Sequence, residues 1–314
     1  MDAEVREMYG IGIDIGGTST KGVLVDAHME SIQEVKVPTA THHGREAILG
    51  SLTEAIDALL KSCPEKPDYI GVGSAGRIDV STGTVVYATD NLPGWQGLGL
   101  KKWLEDKYDV TTVVDNDANA ALIGELFLEG PVALEQNTVM LTLGTGVGGA
   151  NYFFGQIVRG AHHQSGEWGH VVLHPGGRPC NCGKLGCVEQ YISGTALNRR
   201  VEELTDQPLK NGEDLFRHKD SNLLYKQVVE EFVEDLSTII DNISISLDPD
   251  RIILGGGVVQ SRSFWWPLLL DRLQQKEIKT FITPAVQENK AGMFGAAYLG
   301  SHLRTEGRRK HEAT

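Results

Sequence analysis

The chain has 314 residues, with 29 basic against 42 acidic side chains and a formal net charge of −13. That length suits about two domains with a substantial core in each. The sign of the charge argues against a nucleic-acid surface, which needs clustered Lys and Arg to neutralise phosphates. No apolar run approaches the roughly 20 residues of a membrane-spanning helix, and the polar opening Met1-Asp2-Ala3-Glu4 reads against a secretory signal, so a cytoplasmic protein is expected. Three of the four cysteines crowd between Cys180 and Cys187 while Cys63 stands alone. In a reducing cytoplasm that spacing suits a metal site better than two disulfides.

In chain order, Tyr9–Asp14, Lys21–Val25 and Ser31–Val37 read as antiparallel strands, with a glycine turn at the first corner. Arg45–Ser62 carries Ile48, Leu52, Ile56, Leu59 and Leu60 at helical spacing and ends before Pro64. Tyr69–Gly73 is a short buried strand that opens into Ser74-Ala75-Gly76-Arg77. Asn91–Trp95 reads as loop, Leu100–Lys107 as a short helix and Thr112–Asp115 as a strand, with a helical pattern from Ala118. Thr138–Leu143 is again a strand. A helix-rich stretch starts at Thr195, and Leu223–Leu247 is one long amphipathic helix. Arg251–Leu254 is a strand, and Ala291–Leu303 a final helix with an unordered tail after it.

Two apolar strands run into Gly/Thr turns, at Ile11–Thr18 and at Met140–Gly149. Their recurrence predicts a duplicated α/β architecture of two domains around a central cleft. We place a smaller domain at 1–116, joined by the C-terminal helix at about 291–305. A larger domain spans 117–290 and contains a metal loop at 170–189.

The chemistry sits at the ends of these strands. Asp14-Ile-Gly16-Gly17-Thr18 puts a carboxylate before a turn poor in side chains. Glycines let backbone N–H groups approach a phosphate, and Thr18 adds a hydroxyl. Asp14 is placed to hold Mg²⁺, directly or through water. A plain hairpin turn is the competing reading. Lys21 either touches a phosphate or is a solvated strand lysine. Gly144-Thr145-Gly146 repeats the phosphate signal without the Gly-Lys-Ser/Thr of a P-loop. Gly255-Gly256-Gly257 after a strand leaves room for a flat ligand such as adenosine, or is merely a turn. Asp117 lies where a strand meets a helix, as a general base for a hydroxyl or as an N-cap; Asp115 is equally well a solvated strand end. Cys180, Cys182 and Cys187 with His170 make a plausible tetrahedral zinc set. Four protein ligands leave no open position, so such a zinc is structural. His162, His163 and His174 are rival imidazoles, His174 the more serious because it lies nearer Cys180.

Taken together these residues resemble the ROK family of sugar kinases, open reading frames and repressors, on the actin-like, hexokinase-type (ribonuclease H-like) ATPase fold. The motifs are Asp-Ile-Gly-Gly-Thr at 14–18, Asn-Asp-Ala-Asn-Ala-Ala at 116–121, Leu-Gly-Thr-Gly-Val-Gly-Gly at 143–149, Glu-x-Gly-His at 167–170 and Cys-x-Cys-Gly-x-x-Gly-Cys-x-Glu at 180–189. The resemblance implies an ATP-dependent hexose kinase in which Asp117 is the general base on the sugar 6-hydroxyl. It also implies that Gly76, Asn91, Asn116, Glu167, His170 and Glu189 bind the sugar or hold the loop that does. The glycine turns would hold ATP phosphates, and 255–257 would face the adenosine. Glucose is the first expected substrate. N-acetylmannosamine, N-acetylglucosamine and β-glucosides follow, with a non-catalytic sugar sensor as the reading of a different class. A homodimer is expected, with no nucleic-acid or membrane partner. Two departures stand out: Ala75-Gly76-Arg77 stands where Pro-Gly-Pro is common, and His162-His163-Gln164 is bulkier and more polar than is usual there.

Overall fold

Gly10–Ile15 (β1) and Ser19–Val25 (β2) bury Ile11, Ile13, Ile15, Val23, Leu24 and Val25 completely, and Ser31–Pro38 (β3) completes an antiparallel meander with them. The structure is a computed structural model that describes residues 7–88, 92–287 and 290–312, from 303 onward as backbone. The chain divides into two compact units, residues 1–134, 160–164 and 289–314 in one, residues 135–159 and 165–288 in the other.

In the first unit Arg45–Leu60 (α1) presents Ile48, Leu52, Ile56 and Leu59 to the sheet, the face expected from their spacing. Tyr69–Ser74 (β4) lies parallel to β1. A hairpin, Arg77–Asp79 (β5) with Thr84–Tyr87 (β6), and the helix Leu100–Tyr108 (α2) follow. Thr112–Asn116 (β7) closes the sheet parallel to β4 and runs directly into Asp117–Glu129 (α3). The strand order is β3-β2-β1-β4-β7.

The second unit repeats this plan. Thr138–Leu143 (β8), Val147–Phe153 (β9) and Gln156–Ile157 (β10) form an antiparallel meander. Four helices follow in sequence: Glu189–Ile192 (α4), Gly194–Thr205 (α5), Gly212–Arg217 (α6) and Leu223–Leu247 (α7). Arg251–Gly255 (β11) then adds parallel to β8, and Phe281–Pro284 (β12) parallel to β11 after the helix Arg262–Gln275 (α8). The order β10-β9-β8-β11-β12 is the first sheet over again. In both units the Gly/Thr turn joins the central strand to its antiparallel neighbour, so the repetition seen in the sequence is a repetition of the fold.

The last helix, Ala291–Glu312 (α9), belongs to the first unit and continues past Leu303, where order was expected to end. It packs backbone to backbone on α3. A Cβ at Gly124 would lie 1.9 Å from the Ala291 carbonyl oxygen, and one at Gly295 would lie 1.8 Å from that of Ala120. Only glycine permits this approach. It ties α3 to α9 and so places α3 in the first unit, whereas the sequence boundary at 117 assigns it to the second. Two of the elements absent from the sequence reading, α8 and β9, have a local cause. Pro267 interrupts the helical signal of α8, and the glycines at the start of β9 look like more turn.

Candidate active site

The corner between β7 and α3 is built by Asn116 and Asp115. Asn116, not Asp117, is the N-cap: its Oδ1 accepts from the Ala118 N–H at 2.8 Å and the Asn119 N–H at 3.2 Å. Its Nδ2 donates to the Gly76 carbonyl at 2.9 Å and to Asp117 Oδ1 at 3.0 Å. All four hydrogen-bonding positions of the Asn116 amide are therefore taken inside the protein. Asp115 is buried rather than solvated. Its Oδ1 accepts from the Asn116 N–H at 2.7 Å and from Asn119 Nδ2 at 2.8 Å. Asn119, the second asparagine of the 116–121 motif, locks this corner from one turn along the helix.

Asp117 thus takes the first helical position. Its Oδ1 accepts from Asn116 Nδ2 and, at 2.9 Å, from the Ala118 N–H; its Oδ2 lies outside this network. Burial holds the carboxyl above the ordinary range, opposed by the Ala118 N–H, its own N–H and Asn116. A raised carboxylate beside a helix N-terminus has the character of a general base.

Asp14, at the end of β1, is pushed up to about 6, first by burial and then by the charge of Asp117; Lys21 opposes this. Lys21 Nζ stands 3.9 Å from Asp14 Oδ2, so the lysine is engaged with this carboxylate. Two carboxylates and one lysine leave negative charge to spare, a donor set that suits a divalent cation. Beyond Asp14, Thr18 is exposed, and a Cβ at Gly17 would meet nothing within 4 Å. Neither sterics nor backbone strain explains that glycine, so the space above it is free for a ligand.

Gly76 has φ +101°, and a Cβ there would lie 2.5 Å from the Tyr87 carbonyl oxygen. The turn itself requires glycine, and it delivers the Gly76 carbonyl to Asn116. Arg77 stacks its guanidinium over the Tyr87 ring at 4.3 Å, a cation–π contact that holds the hairpin. Asn91 lies outside the described residues. Nearby, fully buried Trp95 donates from Nε1 to Ser74 Oγ at 2.8 Å. His163 stands 3.7 Å from Asp79, well away in role from the thiols.

In the second unit a cavity of about 750 Å³ is lined by Gly144, Thr145, Gly194, Asn198, Asn211, Gly257 and their neighbours. It brings the Gly144-Thr145-Gly146 turn and one end of the triple glycine together. The three glycines differ: Gly255 is packed in β11 against Met140 and Ala285, and Gly256 has φ +91° and backs onto Leu143. At Gly144 and Gly257 a Cβ would meet nothing within 4 Å, so the free space lies at these two. Asn198, Asn211, Gly212 and Glu213 also line the cavity. No sequence motif marks them, because each belongs to an ordinary helix start or face.

The four predicted metal ligands converge. His170, Cys180, Cys182 and Cys187 offer atoms that all lie within 4.8 Å of one another. His170 Nδ1 is 3.7 Å from Cys180 Sγ, and Cys182 Sγ is 3.6 Å from Cys187 Sγ. Two thiolates on one tetrahedral zinc stand about 3.8 Å apart, so the spacing fits. Burial, and then the neighbouring thiols, pushes Cys187 up to about 12. His174 does not join it: its Nε2 pairs with Asp235 at 2.7 Å and its ring packs edge-on against Tyr191. The second nitrogen of His170 faces Glu167, with Nε2 4.0 Å from Oε2.

Residues 10–302 match the ROK family. The chain belongs to it. This ROK protein is 32% identical to a glucokinase of Halalkalibacterium halodurans, over 94% of this chain and 96% of that one. Among solved structures it is similar to a ROK hexokinase from Thermus thermophilus, with a TM-score of 0.84, 29% identity and coverage of 95% of this chain and 100% of that one. It is also similar to a putative N-acetylmannosamine kinase from Listeria monocytogenes, with a TM-score of 0.83, 28% identity and coverage of 95% and 100%. This ROK chain is an ATP-dependent sugar kinase with the actin-like ATPase fold. Among the described residues of this ROK chain, no helix is long and apolar enough to cross a membrane.

Proposed function

We propose that the chain transfers the γ-phosphoryl group of ATP to the 6-hydroxyl of glucose, in the cytoplasm, as a homodimer. The observation that carries the chemistry is Asp117, with one oxygen fixed by Asn116 and the helix N-terminus and the other outside that network. Asp117 Oδ2 accepts the 6-hydroxyl proton as that oxygen attacks the γ-phosphorus. Backbone N–H groups at Gly17–Thr18 and Thr145–Gly146 receive the phosphates, the Gly16 and Gly144 N–H groups being spent on closing the two turns, and the cavity reaching Gly257 receives the adenosine. Asp14 would hold Mg²⁺, which neutralises charge on the transferring group. The choice of glucose rests on the likeness to a glucokinase. A 2-acetamido sugar is the second reading, favoured by the likeness to a putative N-acetylmannosamine kinase.

Glu167, His170 and Glu189 read the sugar. If Nδ1 of His170 is on zinc, Nε2 carries the proton, and the 4.0 Å gap to Glu167 suits a hydroxyl that accepts from the imidazole and donates to the carboxylate. Zinc at His170, Cys180, Cys182 and Cys187 is then structural and acts through the loop that carries these groups. Metal analysis is expected to find one zinc per chain. Cys182→Ser is expected to lose it and to raise the sugar KM about 10- to 100-fold, or to unfold the region. A zinc-free variant with unaltered sugar affinity would remove zinc from this role.

ADP release across a panel of glucose, N-acetylglucosamine, N-acetylmannosamine and a β-glucoside decides the substrate. Glucose is expected to give the highest kcat/KM. A tenfold or greater preference for an acetamido sugar would replace it, and tight sugar binding with no ADP from any sugar would favour a sensor.

A further inference from the structure

The proposed sugar loop and the proposed phosphate turn lie on different stretches of the chain. Glu189 joins them. It follows Cys187 by two residues and opens α4, and its Oε2 accepts from the Val147 N–H at 3.0 Å. Val147 ends the Gly144-Thr145-Gly146 turn. That turn is closed internally by the Gly144 N–H donating to the Gly146 carbonyl at 2.9 Å. It is closed from the other side by the Gly194 N–H, which donates to the Gly144 carbonyl at 2.8 Å. Gly194 begins α5, and Ser193 caps that helix by accepting from the Ala196 N–H at 3.1 Å. The segment 189–194 therefore brackets the turn, with the Glu189 carboxylate at one end and the Gly194 N–H at the other.

Gly146 bears the mark of the same contact. Its φ lies outside the left-handed region, so conformation does not demand glycine there. A Cβ would instead lie 2.4 Å from Glu189 Oε2. With Oε2 on the Val147 N–H, the carboxylate occupies the place a side chain at 146 would take, so any larger residue there would displace it from that bond. A hydrogen bond from a backbone N–H to an ionised carboxylate is among the stronger kinds, and this one fixes the turn that also lines the 750 Å³ cavity through Gly144 and Thr145.

We propose that Glu189 is a positioning residue for the nucleotide as well as a reader of the sugar. Oε2 sets the phosphate turn, and the carboxylate's other oxygen serves the sugar hydroxyl. The proposal rests on the reading of Gly144–Gly146 as a phosphate turn. It makes the two substrates report to one side chain: a sugar that draws on the carboxylate acts on the turn through the Val147 N–H.

The test is nucleotide binding with no sugar present, measured by calorimetry with ADP and a non-hydrolysable ATP analogue in the metal-loaded protein. Glu189→Ala is expected to weaken nucleotide binding about tenfold or more, the loss of one hydrogen bond to a charged group. Glu189→Gln keeps an acceptor for the Val147 N–H and is expected to bind nucleotide close to wild type. Both variants are expected to weaken sugar binding measured without nucleotide. Equal sugar-free nucleotide affinity in wild type and Glu189→Ala would overturn the proposal and leave the kinase site as described. Failure of the wild type itself to bind nucleotide would overturn the phosphate-turn reading underneath it.

Discussion

Asp117→Ala is expected to lower kcat by about 10²- to 10⁴-fold, the span that a positioned general base contributes. Sugar affinity should fall far less, because the groups proposed to read the sugar lie mainly at Glu167, His170 and Glu189. Asp117→Asn is the cleaner comparison. Its amide oxygen still accepts from the Ala118 N–H and Asn116 Nδ2, so the corner that Asn116 caps stays intact while the basic oxygen is gone. Calorimetric sugar binding and initial rates on the same preparations separate the two effects. Near-normal turnover in either variant would remove Asp117 from the role of base. In the wild type kcat/KM should fall as pH drops through the raised value of Asp117, since the protonated acid cannot accept the hydroxyl proton.

Asp14→Asn is expected to trade activity for stability. Folding raises Asp14 from 3.8 to about 6, so the folded state binds its proton more tightly than the unfolded chain. The charged form is thus a burden on the fold at any pH above about 6, and that burden vanishes below 3.8. Asparagine removes it. In metal-free protein the variant should be more stable by up to about 3 kcal/mol near neutral pH, a shift of several degrees in Tm. The gain should shrink towards zero as pH falls through the interval. Turnover should drop about 10²-fold or more, because the proposed Mg²⁺ site and its transition-state stabilisation go with the carboxylate. A Tm gain that does not depend on pH, or unchanged turnover, would contradict the account.

These two aspartates show where sequence reading succeeds and where it stops. Both stand at strand ends before a glycine turn or a helix, and that local pattern makes them visible as chemistry. What it leaves undecided is the division of labour within Asn116-Asp117. Either side chain caps a helix equally well on propensity. The choice falls to Asn116 because its amide can donate to Gly76, forty residues away, while it accepts from Ala118 and Asn119. The zinc set is legible because its ligands crowd within one loop, but the exclusion of His174 depends on Asp235, far along the chain on α7. The cavity proposed for the nucleotide is half legible. Gly144 and Gly257 announce themselves, whereas Asn198 and Asn211 are ordinary helix residues until the fold brings them to the same wall. The sheet order is legible only as a repetition of Gly/Thr corners, since periodicity carries no information about which strands pair.

The backbone contact between α3 and α9 also bears on how the polypeptide matures on the ribosome. Synthesis delivers β1 to α3 early, but the helix that covers α3 and β1 is made only after the second unit. Nearly all of the second unit is drawn from one run of chain between these parts. It therefore has its full complement of strands and helices while the first still waits, against the usual order in which the N-terminal portion folds first. During that wait, Gly124 and the apolar face of α3 stand without their partner. A nascent chain halted before Ala291 would expose that face, and exposed apolar surface of this kind is where aggregation starts.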